Sequence, residues 1–248
     1  MPGDDVTCDQ LRRFGLILRQ PKTGYRFTLD PLLLCDFSGA QGQQTIADLG
    51  TGSGVMALVL ARMASQAHIT AFERDQAAAR LAEENVALNG LGDRITVRHA
   101  DIMHIRTYLP VSSCDLVVSN PPYRQLGRGR FNQHPGRLAG RHEVTAGLAD
   151  FLAAAKYLVK PSGRICLVYH PDRLLDLLAE AERQKLTVLR LRMVHGTPAA
   201  DAKVFLVELA KARRQGGLQV LAPLIVRSDV NTYSEEVWRI LFEDGKGA

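Results

Sequence analysis

Short apolar runs alternate with longer amphipathic segments along much of the chain. Residues 45–49, 68–73, 95–102, 114–119 and 165–170 are apolar and of strand length. Between them, residues 55–63 carry a helical pattern, and residues 76–89 are rich in alanine and glutamate. The apolar positions Ala77, Leu81, Val86 and Leu88 only roughly fit one face of that second helix, and Asn89-Gly90 is a natural C-cap and turn. A further run, residues 144–158, turns from alternating to helical. After a helix over 171–185, two strand-like runs, 186–195 and 202–209, form a closing hairpin. Strand and helix in alternation predict an α/β fold with a mostly parallel, seven-stranded sheet whose final strand is antiparallel.

The segments outside this alternation are shorter. Residues 14–20 and 25–27 read as two small strands around a turn at 21–24. Pro31 then suits the first position of a helix, with Asp30 as N-cap. Residues 160–164 predict a turn ahead of the fifth strand. Beyond the hairpin there is a short strand within 221–226 and the stretch Tyr233-Ser234-Glu235-Glu236-Val237. Neither a second domain nor a repeat is legible.

Composition narrows the class modestly. The hydrophobic fraction is 46% and the net charge +5, which tilts toward a polyanionic partner. Cys8, Cys35, Cys114 and Cys166 are scattered without a CxxC pair. Reduced thiols in a cytoplasmic protein are therefore expected, rather than a metal site or disulfide framework. No apolar run reaches membrane-span length, and the start of the chain lacks the basic-then-apolar order of a signal peptide.

The chemistry gathers at two strand ends. Asp48-Leu49-Gly50-Thr51-Gly52-Ser53-Gly54 joins the first strand to its helix. Glycines there let the backbone turn sharply and approach a ligand closely. Nicotinamide sites use G-x-G-x-x-G; here every second residue is glycine and an acid precedes the first. Glu73 closes the next strand, where a carboxylate accepts ribose hydroxyls. The plain alternative is a solvated glutamate. Asp101 suits a helix N-cap after the third strand. The apolar strand 114–119 runs into Asn120-Pro121-Pro122-Tyr123, a loop stiffened by two prolines. Arg124, Arg128, Arg130, Arg137 and Arg141 follow, and residues 124–142 contain no acid. Such a loop suits phosphate contacts, or is simply solvated.

The D-x-G-x-G-x-G order resembles motif I of the class I S-adenosylmethionine (SAM) methyltransferases. Asn-Pro-Pro-Tyr resembles motif IV of amino-group methyltransferases. The resemblance implies a Rossmann-like fold with SAM as cofactor. Asp30, Asp48, Gly50, Thr51, Gly52, Gly54, Glu73, Asp101, Ile102 and Asn120 then line the cofactor, with Asp101 and Ile102 at its adenine. Asn120, Pro121, Pro122 and Tyr123 are the implied catalytic residues. The five arginines are the implied RNA contacts. Phe27-Thr28-Leu29-Asp30, Arg141-His142-Glu143, Leu191-Arg192-Met193-Val194-His195, Pro223-Leu224-Ile225 and the Tyr233 stretch extend the match. Together they resemble the bacterial tRNA(Val) (adenine-N6)-methyltransferase family over roughly residues 14 to 237. The implied activity is N6-methylation of an anticodon-loop adenine in tRNA. The implied organisation is an extension over the cofactor site (1–44), a methyltransferase domain (45–215) and a C-terminal tail (216–248). Glutamine-N5 protein methylation, guanine-N2 rRNA methylation and a non-catalytic SAM- or RNA-binding module remain open alternatives, since the two main motifs are shared.

Overall fold

The computed structural model describes residues 6–22, 28–121, 146–211, 217–229 and 232–242. The apolar runs become the strands of one sheet: β3 (Thr45–Leu49), β4 (His68–Glu73), β5 (Ile95–His99), β6 (Cys114–Ser119), β7 (Val159–Tyr169), β8 (Thr187–His195) and β9 (Ala202–Ala210). They follow β1 (Val6–Leu11) and β2 (Leu16–Pro21), which pair separately as an antiparallel hairpin. The order across the main sheet is β5-β4-β3-β6-β7-β9-β8. β9 runs antiparallel to both neighbours, and the other pairings in this set are parallel. Two short strands, β10 (Gln219–Val220) and β11 (Leu224–Ile225), add in parallel to β8, giving nine strands among the described residues.

Helices cover both faces, which is why the central strands are apolar on both sides. α1 (Asp30–Ser38), α2 (Val55–Met63) and α3 (Gln76–Leu88) contribute to one apolar layer with Ile46, Leu116 and Val118. α4 (Leu148–Leu158) and α5 (Leu174–Arg183) form the other with Ala47, Leu49 and Val117. α2 is apolar nearly all round because it touches α1, β2 and the sheet at once. Its Leu58, Val59 and Leu60 are fully buried, and each such side chain stabilises the fold by roughly 1.5–3 kcal/mol. A hairpin, β12 (Arg227–Asp229) and β13 (Thr232–Tyr233), leads to α6 (Glu235–Phe242), which packs on α1.

Several local expectations change. Residues 6–11 form a strand although their pattern is mostly polar, because pairing with β2 supplies their backbone partners. The second N-terminal strand expected at 25–27 lies outside the described residues. Leu29, not Asp30, is the N-cap of α1, so Asp30 and Pro31 are already helical. Residues 160–164 do not form a separate turn but belong to β7, whose register against β6 shifts between Cys114 and Leu116. The irregularity passes at Gly163, where a Cβ would lie 2.8 Å from the Asp115 carbonyl oxygen. In α3 the buried face is Ala79, Ala82, Asn85 and Val86. Ala77 and Leu88 are exposed, since the hairpin and glycine turn approach from a different side than apolarity alone indicates.

Candidate active site

The carboxyl ends of β3, β4, β5 and β6 lie side by side, where ligands bind in open α/β sheets. The turn after β3 is held by its neighbour: the Gly50 and Thr51 N–H groups both donate to the Phe72 carbonyl at 2.9 Å. Gly50 has φ 75°, and a Cβ there would meet the Phe151 ring at 3.4 Å. Gly54 has φ 86°, and its missing Cβ lets Ala82 of α3 approach to within 3.2 Å of the position it would occupy. Both positions favour glycine for their positive φ, and Gly54 also for the tight approach of Ala82.

Asp48 lies fully buried beneath this turn. Its Oδ2 accepts from the Thr51 hydroxyl at 2.6 Å, while Oδ1 has no hydrogen-bond partner among the described residues. Burial, with some repulsion from Glu73, pushes the carboxyl up to about 7 although the Thr51 bond opposes it. Glu73 is half-buried at the end of β4. Its Oε2 accepts from the Gly52 N–H at 2.9 Å and its Oε1 from the Asp75 N–H at 2.8 Å. At the end of β5, Asp101 accepts from the Met103 N–H at 2.9 Å as the cap of a short 3-10 helix, and Ile102 is buried beside it.

β6 brings the second group alongside. Leu49 and Ser119 are register partners, and the buried Ser119 hydroxyl donates to the Leu49 carbonyl at 2.7 Å. Gly50 and Asn120 thus leave adjacent strands at the same level, and such strands lie about 4.8 Å apart. Asn120 is half-buried and Pro121 buried. Pro122, Tyr123, Arg124, Arg128, Arg130, Arg137 and Arg141 lie outside the described residues. Asp30 sits half-buried at the start of α1, where burial raises its pKa and the Thr28 hydroxyl donates to it at 2.9 Å.

Ser119 and Phe151 were not singled out by sequence reasoning. A serine just before Asn-Pro-Pro was the available signal for the first; for Phe151 there was none. The buried Asp48 carboxyl, with one oxygen lacking a hydrogen-bond partner among the described residues, fits a cofactor with a cationic amine, and the strand-end carboxylates fit its nucleoside. Glu73 and Asp101 stand at the neighbouring strand ends that would hold its ribose and adenine.

Sheet order, glycine turn and Asn-Pro end define a class I SAM-dependent methyltransferase. The fold matches a predicted O-methyltransferase from Agrobacterium tumefaciens with a TM-score of 0.67 at 23% identity, covering 85% of this chain and 94% of that chain. It also matches a SAM-dependent methyltransferase from Aquifex aeolicus with a TM-score of 0.53 at 19% identity, covering 73% and 88%. The family model of the methyltransferase small domain matches residues 30–175, more than half of the chain. A tRNA1(Val) (adenine(37)-N6)-methyltransferase from Porphyromonas gingivalis is 33% identical over 189 residues, 74% of this chain and 73% of the relative. Another, from Trichodesmium erythraeum, is 30% identical over 209 residues, covering 83% and 85%. The chain belongs to the tRNA1(Val) (adenine(37)-N6)-methyltransferase family.

Proposed function

We infer that this enzyme methylates the N6 amine of an adenine in tRNA, and that its target is the adenine 37 of tRNA1(Val) named for its relatives. The observation that carries the reading is the Ser119–Leu49 bond, which sets Asn120-Pro121 beside the glycine turn. SAM supplies an electrophilic methyl group on a sulfonium. Gly50, Thr51, Gly52 and Gly54 form its cradle, Asp48 sits beneath its ammonium end, Glu73 takes the ribose, and Asp101 with Ile102 takes the adenine. Asp30 borders the same site from α1.

The catalytic residues act on the substrate amine. The Asn120 side-chain oxygen and the Pro121 carbonyl accept from the planar –NH2 group, turning its lone pair out of conjugation with the ring. As the N6–CH3 bond forms and the sulfonium S–CH3 bond breaks to leave a thioether, the amine gains positive charge that two oriented oxygens stabilise, and one N–H proton then passes to solvent. Pro122 stiffens the loop. Tyr123 stacks on the flipped base and offsets part of an unstacking cost of about a few kcal/mol. Arg124, Arg128, Arg130, Arg137 and Arg141 contact phosphates. In this reading residues 1–44 cover the cofactor site, 45–215 are the methyltransferase domain and 216–248 a tail. A tRNA substrate places the enzyme in the cytoplasm. Among the described residues no helix is long and apolar enough to cross a membrane.

The test is transfer from labelled SAM to total RNA and total protein of a strain lacking the gene, followed by nucleoside analysis. N6-methyladenosine in the tRNA fraction is the expected product. Label in protein, or methylguanosine in rRNA, would overturn the substrate while keeping the cofactor. SAM binding without transfer to any fraction would point to a non-catalytic module.

A further inference from the structure

Asn85 on α3 and Asn89 at its C-cap take the place of a neighbouring strand. One edge of β2 pairs with β1, and its other edge presents the peptide groups of Ile17 and Arg19. Asn89 Oδ1 accepts from the Ile17 N–H at 2.9 Å, and Asn89 Nδ2 donates to the Ile17 carbonyl at 2.7 Å. Asn85 Oδ1 accepts from the Arg19 N–H at 2.8 Å, and Asn85 Nδ2 donates to the Arg19 carbonyl at 2.9 Å. The two lattices match because four residues of helix advance about 6 Å and two residues of strand about 6.6 Å. Asn85 has one further donor hydrogen. It goes to the Ser53 carbonyl at 2.9 Å, inside the glycine turn. One turn earlier on the same helix face, Ala82 packs against Gly54.

The Asn85 side chain is fully buried, so it depends on these three protein partners and not on water. Leaving a buried partner unsatisfied carries the cost of its lost hydration. A neutral carboxamide supplies one acceptor and two donors at a single point. An aspartate in its place keeps the acceptor but turns a carboxylate oxygen toward two carbonyls.

We propose that Asn85 is a positioning residue for the cofactor cradle, joining the β1–β2 hairpin to the Ser53 peptide so that the hairpin and the glycine turn order together. The proposal rests on the reading of that turn as the SAM cradle. Because coupling between two sites is reciprocal, SAM binding steadies the hairpin through Asn85, and breaking the Asn85 link, the one that reaches Ser53, weakens SAM binding.

The experiment uses the full chain. SAM affinity is measured by calorimetry, together with KM for tRNA, for the wild type, Asn85→Asp and Asn89→Ala. Asn85→Asp is expected to raise the SAM Kd about tenfold or more with KM for tRNA within about twofold. Asn89→Ala, which frees Ile17 but has no atom on the turn, is expected to change SAM affinity by less than about threefold. Equal effects of the two variants, or an unchanged Kd in Asn85→Asp, would overturn the proposal. Should Asn85→Asp fail to fold, amide exchange of the wild type decides. Added SAM should slow the Ile17 and Arg19 amides as well as residues 50–54; protection confined to 50–54 would overturn the coupling. A wild type that binds no SAM would instead sink the cofactor reading itself.

Discussion

Glu73 Oε2 accepts a hydrogen bond from the Gly52 N–H at 2.9 Å, so the carboxylate at the end of β4 stitches the middle of the glycine turn from the neighbouring strand. Each carboxylate oxygen has about two lone-pair sites. With Oε2 on Gly52 and Oε1 on Asp75, acceptor capacity remains for ribose hydroxyls. The same side chain therefore shapes the turn and keeps acceptor sites that a ligand could use. Glu73→Ala should weaken SAM binding by about tenfold or more and lower the melting temperature as well. Glu73→Gln keeps an acceptor for one N–H and should fall between. Calorimetry and thermal melting check the order, and a Glu73→Gln protein as impaired as Glu73→Ala would argue that charge alone matters.

Asp48 is expected to make the stability of the unliganded protein depend on pH. Its carboxyl is pushed from 3.8 up to about 7, chiefly by burial. The folded state therefore binds more protons than the unfolded state between those values. The stability contribution is fully present below 3.8 and is lost as pH rises through about 7. Asp48→Asn should flatten that part of the stability profile while weakening SAM binding, because no anion then sits beneath the ammonium. Denaturant midpoints across the same pH range, with and without SAM, measure both effects.

Removing the Ser119 hydroxyl should act on chemistry through position. Ser119→Ala deletes the buried bond to the Leu49 carbonyl, at a cost of about 1–3 kcal/mol if that carbonyl finds no other partner. The expected kinetic result is a lower kcat with KM for SAM little changed, since the glycine turn keeps its bonds to Phe72. A large rise in KM for SAM with intact kcat would place the effect on the turn instead.

Asn120→Ala should reduce kcat by about 100-fold or more while leaving SAM affinity within about threefold. Transfer assays paired with calorimetry separate the two. Equal loss of both would remove Asn120 from the amine and assign it to the cofactor.

At the far end of the sheet, Asp115 should govern acid stability. Burial raises its pKa, but the Lys160 ammonium at 2.7 Å and bonds from Thr45 and Gln44 outweigh this and hold it at about 2. Here the folded state binds fewer protons, so the contribution is present above 3.8 and lost as pH falls through about 2. Asp115→Asn should narrow the stability difference between neutral and acidic pH, as read by thermal melts.

Much of this was legible in one dimension. Strand and helix alternation specifies the parallel sheet because buried strands must be apolar and crossovers need helices. The spacing of Gly50, Gly52 and Gly54 after Asp48 marks the turn, since glycine readily adopts the positive φ values found at all three. Other features are set by distant neighbours and so left no local mark. β1 is mostly polar and becomes a strand only through β2. α3 buries Asn85 instead of Leu88 because a strand edge, not an apolar layer, faces it.

The order of elements, the glycine turn, the Asn-Pro-Pro loop and the family follow from residues close together in the chain. Only the tertiary structure decided that Ser119 ties β6 to β3 across 70 residues, that Glu73 holds Gly52, and that Asn85 joins the N-terminal hairpin to Ser53. Hydrogen bonds of that kind depend on which groups folding brings together after burial has removed water as a partner, and no local periodicity encodes that choice.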